Sequence, residues 1–175
     1  MAAHLFDSPP VPASQSAIDR DPDLRIRPAR PDDASAILQL ETQFPGDRMS
    51  ARSVRRFLTV RSAHVWVAEQ AGVVVGNLIW LSRRGSRVAR IYSLVVAPAA
   101  RGFGLAERLI RAAETEAAAL QLIVISLEVR VDNAAARRLY DKLDYAESAQ
   151  LPGFYEDGGD GLKLTKALPS MVLAG

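Results

Sequence analysis

Apolar and polar positions begin to alternate at Leu24–Pro28, where Leu24 and Ile26 interleave with Arg25 and Arg27, and this period of two predicts a strand. Before it, residues 1–22 carry Pro9, Pro10, Pro12 and Pro22 without a sustained period, the composition of a tail. Residues 170–175 read as a second short tail, which leaves one domain over 23–169. Pro31-Asp32-Asp33 opens a helix, because proline suits a first turn and acids favour its positive end. Ile37, Leu40 and Phe44 continue it at helical spacing. A second helix is predicted over Ser50–Val60, with Val54, Phe57 and Leu58 on its apolar side.

Three β-branched segments follow. Val65–Glu69 and Val73–Leu81 flank the turn Gln70-Ala71-Gly72, and Val88–Val96 follows Arg84-Gly85-Ser86, so the three form an antiparallel meander. After Pro98 the period changes. Leu105, Leu109, Ile110 and Ala113 mark one face of a long helix over Gly102–Leu120. Leu122–Val129 is an apolar run suited to a buried central strand. Asn133–Leu143 is a helix with Ala136, Leu139, Tyr140 and Leu143 on one side, and Tyr145–Ala149 and Gly161–Leu168 close the order as strands. The whole reads β-α-α-β-β-β-α-β-α-β-β.

Composition adds mostly exclusions. The 175 residues suffice for one compact domain, and 49% hydrophobic with 24% charged residues is ordinary for a globular protein. The net charge of +2 does not call for a nucleic acid, which needs basic residues gathered on one face. The nearest approach to such a patch is Arg83, Arg84, Arg87 and Arg90, read as a solvated hairpin turn with charged flanks, so no nucleic-acid partner is expected. The chain has no cysteine and only two histidines, His4 and His64, which leaves no basis for a thiolate or His-based metal site or a Ser-His-Asp triad. No metal is expected. No apolar run reaches the roughly 20 residues of a membrane span, and no signal-peptide pattern opens the chain, so a cytoplasmic location without membrane contact is expected.

The most informative segment is Val95-Val96-Ala97-Pro98-Ala99-Ala100-Arg101-Gly102-Phe103-Gly104-Leu105-Ala106. A strand ends at proline, small residues turn, and glycines open a long helix. The first backbone N–H groups of a helix have no partner within it, and with the helix dipole they make an anion site suited to phosphate. Alone, the same glycines equally mark a tight turn. Lys-Ser/Thr does not follow the last glycine, so this is no P-loop, and Glu107 breaks the Gly-x-Gly-x-x-Gly dinucleotide spacing. What remains is Arg/Gln-x-x-Gly-x-Gly/Ala, met by Arg101, Gly104 and Ala106.

That pattern resembles motif A of the GNAT acetyltransferase superfamily. The likeness extends over about Leu24–Leu168 and implies the GNAT fold, an α/β (α+β) domain with a mixed, mostly antiparallel central sheet of about seven strands and flanking helices. It also implies acetyl-CoA as co-substrate, its pyrophosphate on the amides of Arg101, Gly102, Phe103, Gly104, Leu105 and Ala106, and its pantetheine beside Leu94, Val95 and Val96.

A second cluster runs from Leu127-Glu128-Val129-Arg130 through Asn133 and Ala136 to Leu139-Tyr140. It is similar to the signature of the GNAT branch that acetylates protein N-termini, typified by the ribosomal-protein alanine N-acetyltransferases. An amine attacks a thioester only as free base, and the departing thiolate benefits from a proton, so one group accepts and another donates. Glu128 ends an apolar strand, where desolvation raises a carboxyl pKa. The resemblance makes it the general base, directly or through water; the plainer reading pairs it with Arg130. Tyr140 is about two helical turns beyond Asn133. The resemblance makes its phenol the general acid, against a core tyrosine with a satisfied hydroxyl. Asn133 is expected to cap the helix and also to touch the cofactor, two compatible roles. With no cysteine, direct transfer in a ternary complex is expected.

The segment Gly153-Phe154-Tyr155-Glu156-Asp157-Gly158-Gly159-Asp160 resembles the aromatic-acidic loop of the same branch. Phe154 and Tyr155 are candidates to line an acceptor groove, and Glu156, Asp157 and Asp160 to attract a cationic amine, unless the loop is simply solvated. Leu143-Asp144-Tyr145 departs from the Gly-Phe usual after that helix; Asp tolerates the left-handed conformation less easily than Gly. The expected acceptor is a primary amine, a protein N-terminus or else a small polyamine, amino acid or aminoglycoside. A non-catalytic acyl-CoA sensor is the other reading, and the chain is expected to be a monomer or homodimer.

Overall fold

The computed structural model describes residues 23–43 and 49–169, so Phe44 and His4 lie outside the described residues. Strand β1 (Leu24–Pro28) leads through a short turn at Pro31–Asp33 into helix α1 (Ala34–Glu41), and α2 (Ala51–Phe57) follows. The meander is β2 (Ala63–Gln70), β3 (Val73–Leu81) and β4 (Val88–Val96). Helix α3 (Leu105–Ala119), β5 (Val124–Arg130), α4 (Ala134–Lys142), β6 (Ala146–Leu151) and β7 (Gly161–Ala167) complete the order expected from the periodicity.

All seven strands share one sheet in the order β1-β2-β3-β4-β5-β7-β6. Neighbours are antiparallel except β4 and β5, which run parallel and are joined by α3, as a parallel pair requires a crossover. Local chemistry sets the turns. The β2–β3 hairpin closes on Ala71 and Gly72, both at positive φ, the left-handed pair a two-residue turn needs. Ser50 caps α2 by accepting the N–H of Ser53 at 3.1 Å. Asp144 does take the left-handed conformation, at φ 65°, in the turn that ends α4.

Alternation along the strands divides the core between the two faces. Ile37 and Val54 of α1 and α2 pack with Val65, Val67 and Ile79 on one face. Leu109, Ile110, Ala113, Ala136 and Tyr140 of α3 and α4 pack with Leu78, Leu94, Ile125, Leu127 and Val129 on the other. No helix among the described residues is long and apolar enough to cross a membrane.

One polar cluster fastens α3 to the meander. The Glu116 carboxylate accepts the indole N–H of Trp66 at 2.7 Å and of Trp80 at 3.1 Å, and lies 3.1 Å from His64 Nδ1. His64 stacks on Trp80 with ring centroids 3.7 Å apart. Burial alone opposes ionisation of Glu116, yet donation from His64, Trp66 and Trp80 outweighs it and holds the carboxyl below its usual range. Such a group binds its proton less readily in the folded than in the unfolded chain. Its stabilisation is complete above the unfolded value near about 4.3 and is lost as pH falls through the folded one.

Glu116→Ala, which leaves a buried indole N–H without its acceptor, is expected to cost about 1–3 kcal/mol in chemical unfolding. Glu116→Gln, which keeps an acceptor but no charge, should cost less and flatten the acid limb of stability against pH. Identical acid limbs for Glu116→Gln and the parent would contradict this account.

Candidate active site

The parallel contact between β4 and β5 is brief. Val88 pairs with Val124, Ala89 with Ile125 and Arg90 with Ser126, and there the pairing ends. Beyond it β4 keeps β3 on its far edge, through Leu94 opposite Leu78, Val95 opposite Asn77 and Val96 opposite Gly76. β5 likewise keeps β7, with Glu128 opposite Lys163. The strands therefore fork, and the backbone edge of Leu94–Val96 that faces β5 has no strand against it.

The loop above the fork runs from a short turn at Pro98–Ala100 to α3. Gly102 and Gly104 sit at φ 82° and 72°, and Gly104 is the helix N-cap, without a side-chain cap. A Cβ on Gly104 would point into open space. The first intrahelical bond is donated by Arg108 to the Gly104 carbonyl at 3.0 Å, so the N–H groups of Leu105, Ala106 and Glu107 have no acceptor within the helix. The side chains of Leu105 and Ala106 are buried, which leaves their amides as the groups they can offer a ligand. Arg101 turns back, its Nε donating to the Val96 carbonyl at 3.3 Å. At the other end of the first turn, Glu107 is held by Arg111 at 2.9 Å and Lys142 of α4 at 2.8 Å. This arrangement fits a phosphate-bearing ligand lying along β4.

Glu128 is 8% exposed. It does not pair with Arg130, nor is Arg90 a solvated flank of the hairpin. Instead Arg90 reaches across the fork, its Nε 2.9 Å and its Nη2 2.8 Å from Glu128 Oε2, with Oε1 3.2 Å from Nε. The reason is register: Arg90 is the last β4 residue paired to β5, two residues short of Glu128. Since Leu127 and Val129 pack beneath α3 and α4, Glu128 projects to the opposite face, that of α1 and α2. The Arg90 guanidinium also lies 6.0 Å over the Tyr92 ring, itself edge-on to Phe57 of α2.

Tyr140 approaches from the other face. It is wholly buried, and its hydroxyl has no hydrogen-bond partner among the described residues. Burial first, and the neighbouring Tyr155 second, push its pKa above the ordinary tyrosine value, so the phenol keeps its proton at neutral pH. A buried hydroxyl without a partner is costly. Asn133 has the capping role, its Oδ1 accepting the Ala136 N–H at 3.0 Å.

Arg130 turns to the β6–β7 connection instead. It meets Asp132 at 3.1 Å and Asp157 at 3.0 Å, and its guanidinium lies 4.8 Å over the Tyr155 ring. Gly159 leaves room for it, because a Cβ there would stand 2.5 Å from Arg130 Nη2. Asp157 is thus engaged within the protein, and Asp160 accepts the Gly153 N–H at 2.8 Å. All three acidic residues proposed to attract an amine, Glu156, Asp157 and Asp160, are exposed; of the aromatic pair, Phe154 is exposed and Tyr155 buried. Neither Arg90 nor the Arg130 clamp is visible from motif spacing, since each pairs residues brought together by the sheet.

Residues 33–145 match the model of the Acetyltransferase (GNAT) family. The chain belongs to that family. It is 31% identical over 148 residues to an uncharacterized N-acetyltransferase of Methanocaldococcus jannaschii, covering 83% of this chain and 92% of that one. In fold it is similar to the ribosomal-protein-S18-alanine N-acetyltransferase of Escherichia coli, with a TM-score of 0.77 at 20% identity over 87% of this chain and 98% of that one. Ard1 of Thermoplasma volcanium is likewise similar, with a TM-score of 0.76 at 24% identity over 84% and 99%. The protein is therefore an acetyl-CoA-dependent acetyltransferase with the GNAT fold.

Arg90→Gln leaves the buried Glu128 carboxylate without its cation and is expected to lower stability by about 1–3 kcal/mol in urea unfolding. The Arg90→Gln/Glu128→Gln double variant should recover part of that loss. Strictly additive losses would show that the two side chains are not coupled.

Proposed function

We propose that this GNAT enzyme acetylates the α-amino group of protein N-termini, with Glu128 as general base and Tyr140 as general acid. The fork carries this reading. It offers an open β4 edge, an anion-binding helix start above it, a carboxylate on one face and an unpartnered phenol on the other. On this reading the amides of Gly102–Ala106 hold the pyrophosphate of acetyl-CoA, the Arg101 N–H being donated to the Pro98 carbonyl at 3.3 Å, while Leu94, Val95 and Val96 hold its pantetheine arm and Asn133 lies alongside.

Bound acetyl-CoA supplies an activated acyl carbon, whose C–S bond breaks as the amine forms the C–N bond. Glu128 takes the proton the amine must lose, directly or through one water, and Tyr140 gives a proton to the sulfur as it departs. Arg90 directs both Nε and Nη2 at Oε2 and only the longer 3.2 Å contact at Oε1, so Oε1 keeps lone-pair capacity to accept that proton. Transfer is direct, in a ternary complex.

An α-amine suits this apparatus better than a lysine side chain. Its pKa is about 7.7–8.0 against about 10.4 for lysine, so much less free energy is spent producing the free base at neutral pH. The enzymes of similar fold that act on ribosomal-protein alanine, and the exposed Phe154 and Glu156 on the hairpin beside the fork, support a peptide acceptor. The small-amine reading shares the same donor site and differs only in what the hairpin admits.

Thiol release from acetyl-CoA, measured against N-terminal peptides, lysine peptides, polyamines, amino acids and aminoglycosides, should give the highest kcat/KM with free N-terminal peptides. A small amine that outruns every peptide would establish the alternative. Glu128→Gln and Tyr140→Phe should each lower kcat about 10²–10⁴-fold, with acetyl-CoA affinity changed no more than about threefold by calorimetry. Parental kcat in either variant would remove that residue from the mechanism.

A further inference from the structure

Charge is unevenly distributed in this chain. Between residues 49 and 90 lie eight arginines and a single carboxylate, Glu69, although the whole chain holds 22 basic and 20 acidic residues. Everything outside that stretch is net acidic. One of the eight, Arg90, is spent on Glu128. The other seven, Arg52, Arg55, Arg56, Arg61, Arg83, Arg84 and Arg87, are all exposed, and none of them forms an ion pair with a described residue.

The fold brings six of the seven to one end of the molecule, with Arg52 about one turn back along α2. Arg55 and Arg56 occupy the last turn of α2, and the link to β2 grows directly from that turn, through the Val60 N–H to the Arg56 carbonyl at 3.0 Å. Arg61 sits in the link. The β3–β4 hairpin, which carries Arg83, Arg84 and Arg87, is tied to the same link by the Ser82 N–H on the Ser62 carbonyl at 2.8 Å. The hairpin turn is itself fixed by the Ser86 N–H on the Arg83 carbonyl at 2.9 Å and by Gly85 at φ 79°. The helix dipole accounts for a cation at the end of α2, where Arg55 and Arg56 sit; it gives no reason for the other five.

We infer that this arginine surface, formed by the end of α2, the α2–β2 link and the β3–β4 hairpin, binds the sugar-phosphate backbone of a nucleic acid. Three features favour phosphate over the other polyanions. The seven cations are all arginines, whose guanidinium fork engages phosphate oxygens two at a time. The hairpin tip, Arg83-Arg84-Gly85-Ser86, has no apolar side chain to insert into a bilayer. The helix end, the link and the hairpin that carry the cations are tied together by backbone hydrogen bonds, so they present one continuous surface. No exposed aromatic ring lies among them to stack on bases, so recognition is of backbone and indifferent to sequence. Sequence alone pointed away from this partner, because it offered four hairpin arginines, one of which turns inward, and did not reveal the three of α2 and Arg61 beside them.

The test is a fluorescence-anisotropy titration of the full chain with single-stranded RNA, duplex RNA and duplex DNA of one length. Vesicles containing phosphatidylserine and poly-glutamate are run alongside. The expected result is binding at about 50 mM salt that weakens at least tenfold by about 200 mM and does not depend on sequence. The three nucleic acids identify the source of the phosphate. Arg83→Ala/Arg84→Ala/Arg87→Ala should weaken binding at least tenfold, and Arg83→Lys/Arg84→Lys/Arg87→Lys should restore part of it. Both variants should leave turnover of a small amine at the parental rate, because these residues lie outside the proposed site. Absence of nucleic-acid binding at about 50 mM salt would overturn the inference. So would unchanged binding by the alanine variant, or tighter binding to vesicles or poly-glutamate.

Discussion

The site exists because two parallel strands stop pairing after three residues. β4 and β5 are held together only from Val88 to Arg90, and both then stay in the sheet by bonding to their outer neighbours, β3 and β7. Neither strand is left loose, so the fork costs no order in the sheet, yet it exposes a backbone edge in the middle of the domain. The crossover that parallel strands require supplies α3, whose N-terminus falls at the open end of the fork because it follows directly from the end of β4. An anion site and a backbone edge are thus brought together by connectivity before any side chain is considered.

Arg90 stands where the pairing ends and replaces it with an ion pair. From there on the two strands share no backbone hydrogen bonds, and the guanidinium spans to Glu128 instead. A cation there holds the carboxylate in one orientation at the wall of the cleft, and it also ties β4 to β5 at the point where the sheet would otherwise open further. The structural and chemical demands on this residue coincide. A buried carboxylate without Arg90 would lose both its desolvation partner and its fixed direction.

Elements were legible from sequence where periodicity is local. The strands, the helices and the left-handed Asp144 follow from patterns a few residues long. Pairings across the sheet were not legible, and His64, Trp66, Trp80 and Glu116 show why. The β2–β3 hairpin contains a shift at Ala68/Glu69, and that single residue sets His64 opposite Trp80. Counted from the Ala71-Gly72 turn without the shift, Trp80 would face Ala63, and each side chain of β2 would meet a different neighbour. Glu116 meanwhile reads as one of several acids on a helix, with nothing local to show that two indoles and an imidazole converge on it. Glu128 and Tyr140 were singled out by motif, but the ion pair on one and the orphaned hydroxyl of the other belong to tertiary structure.

The two faces of the sheet carry unequal chemistry, and this bears on how a ternary complex forms. Tyr140 and the α3 amides belong to the face covered by α3 and α4, whereas Glu128, Arg90 and Tyr92 belong to the face of α1 and α2. A donor held on the first face and an acceptor arriving from the second can meet only through the fork. On the proposed assignment, that geometry gives each ligand its own entrance and puts Glu128 as proton acceptor and Tyr140 as proton donor on opposite sides of the bond being exchanged. A carboxylate and a phenol on the same side would compete for one proton path. Under the proposed direct transfer, separation by the sheet would let one proton leave the amine while another reaches the sulfur.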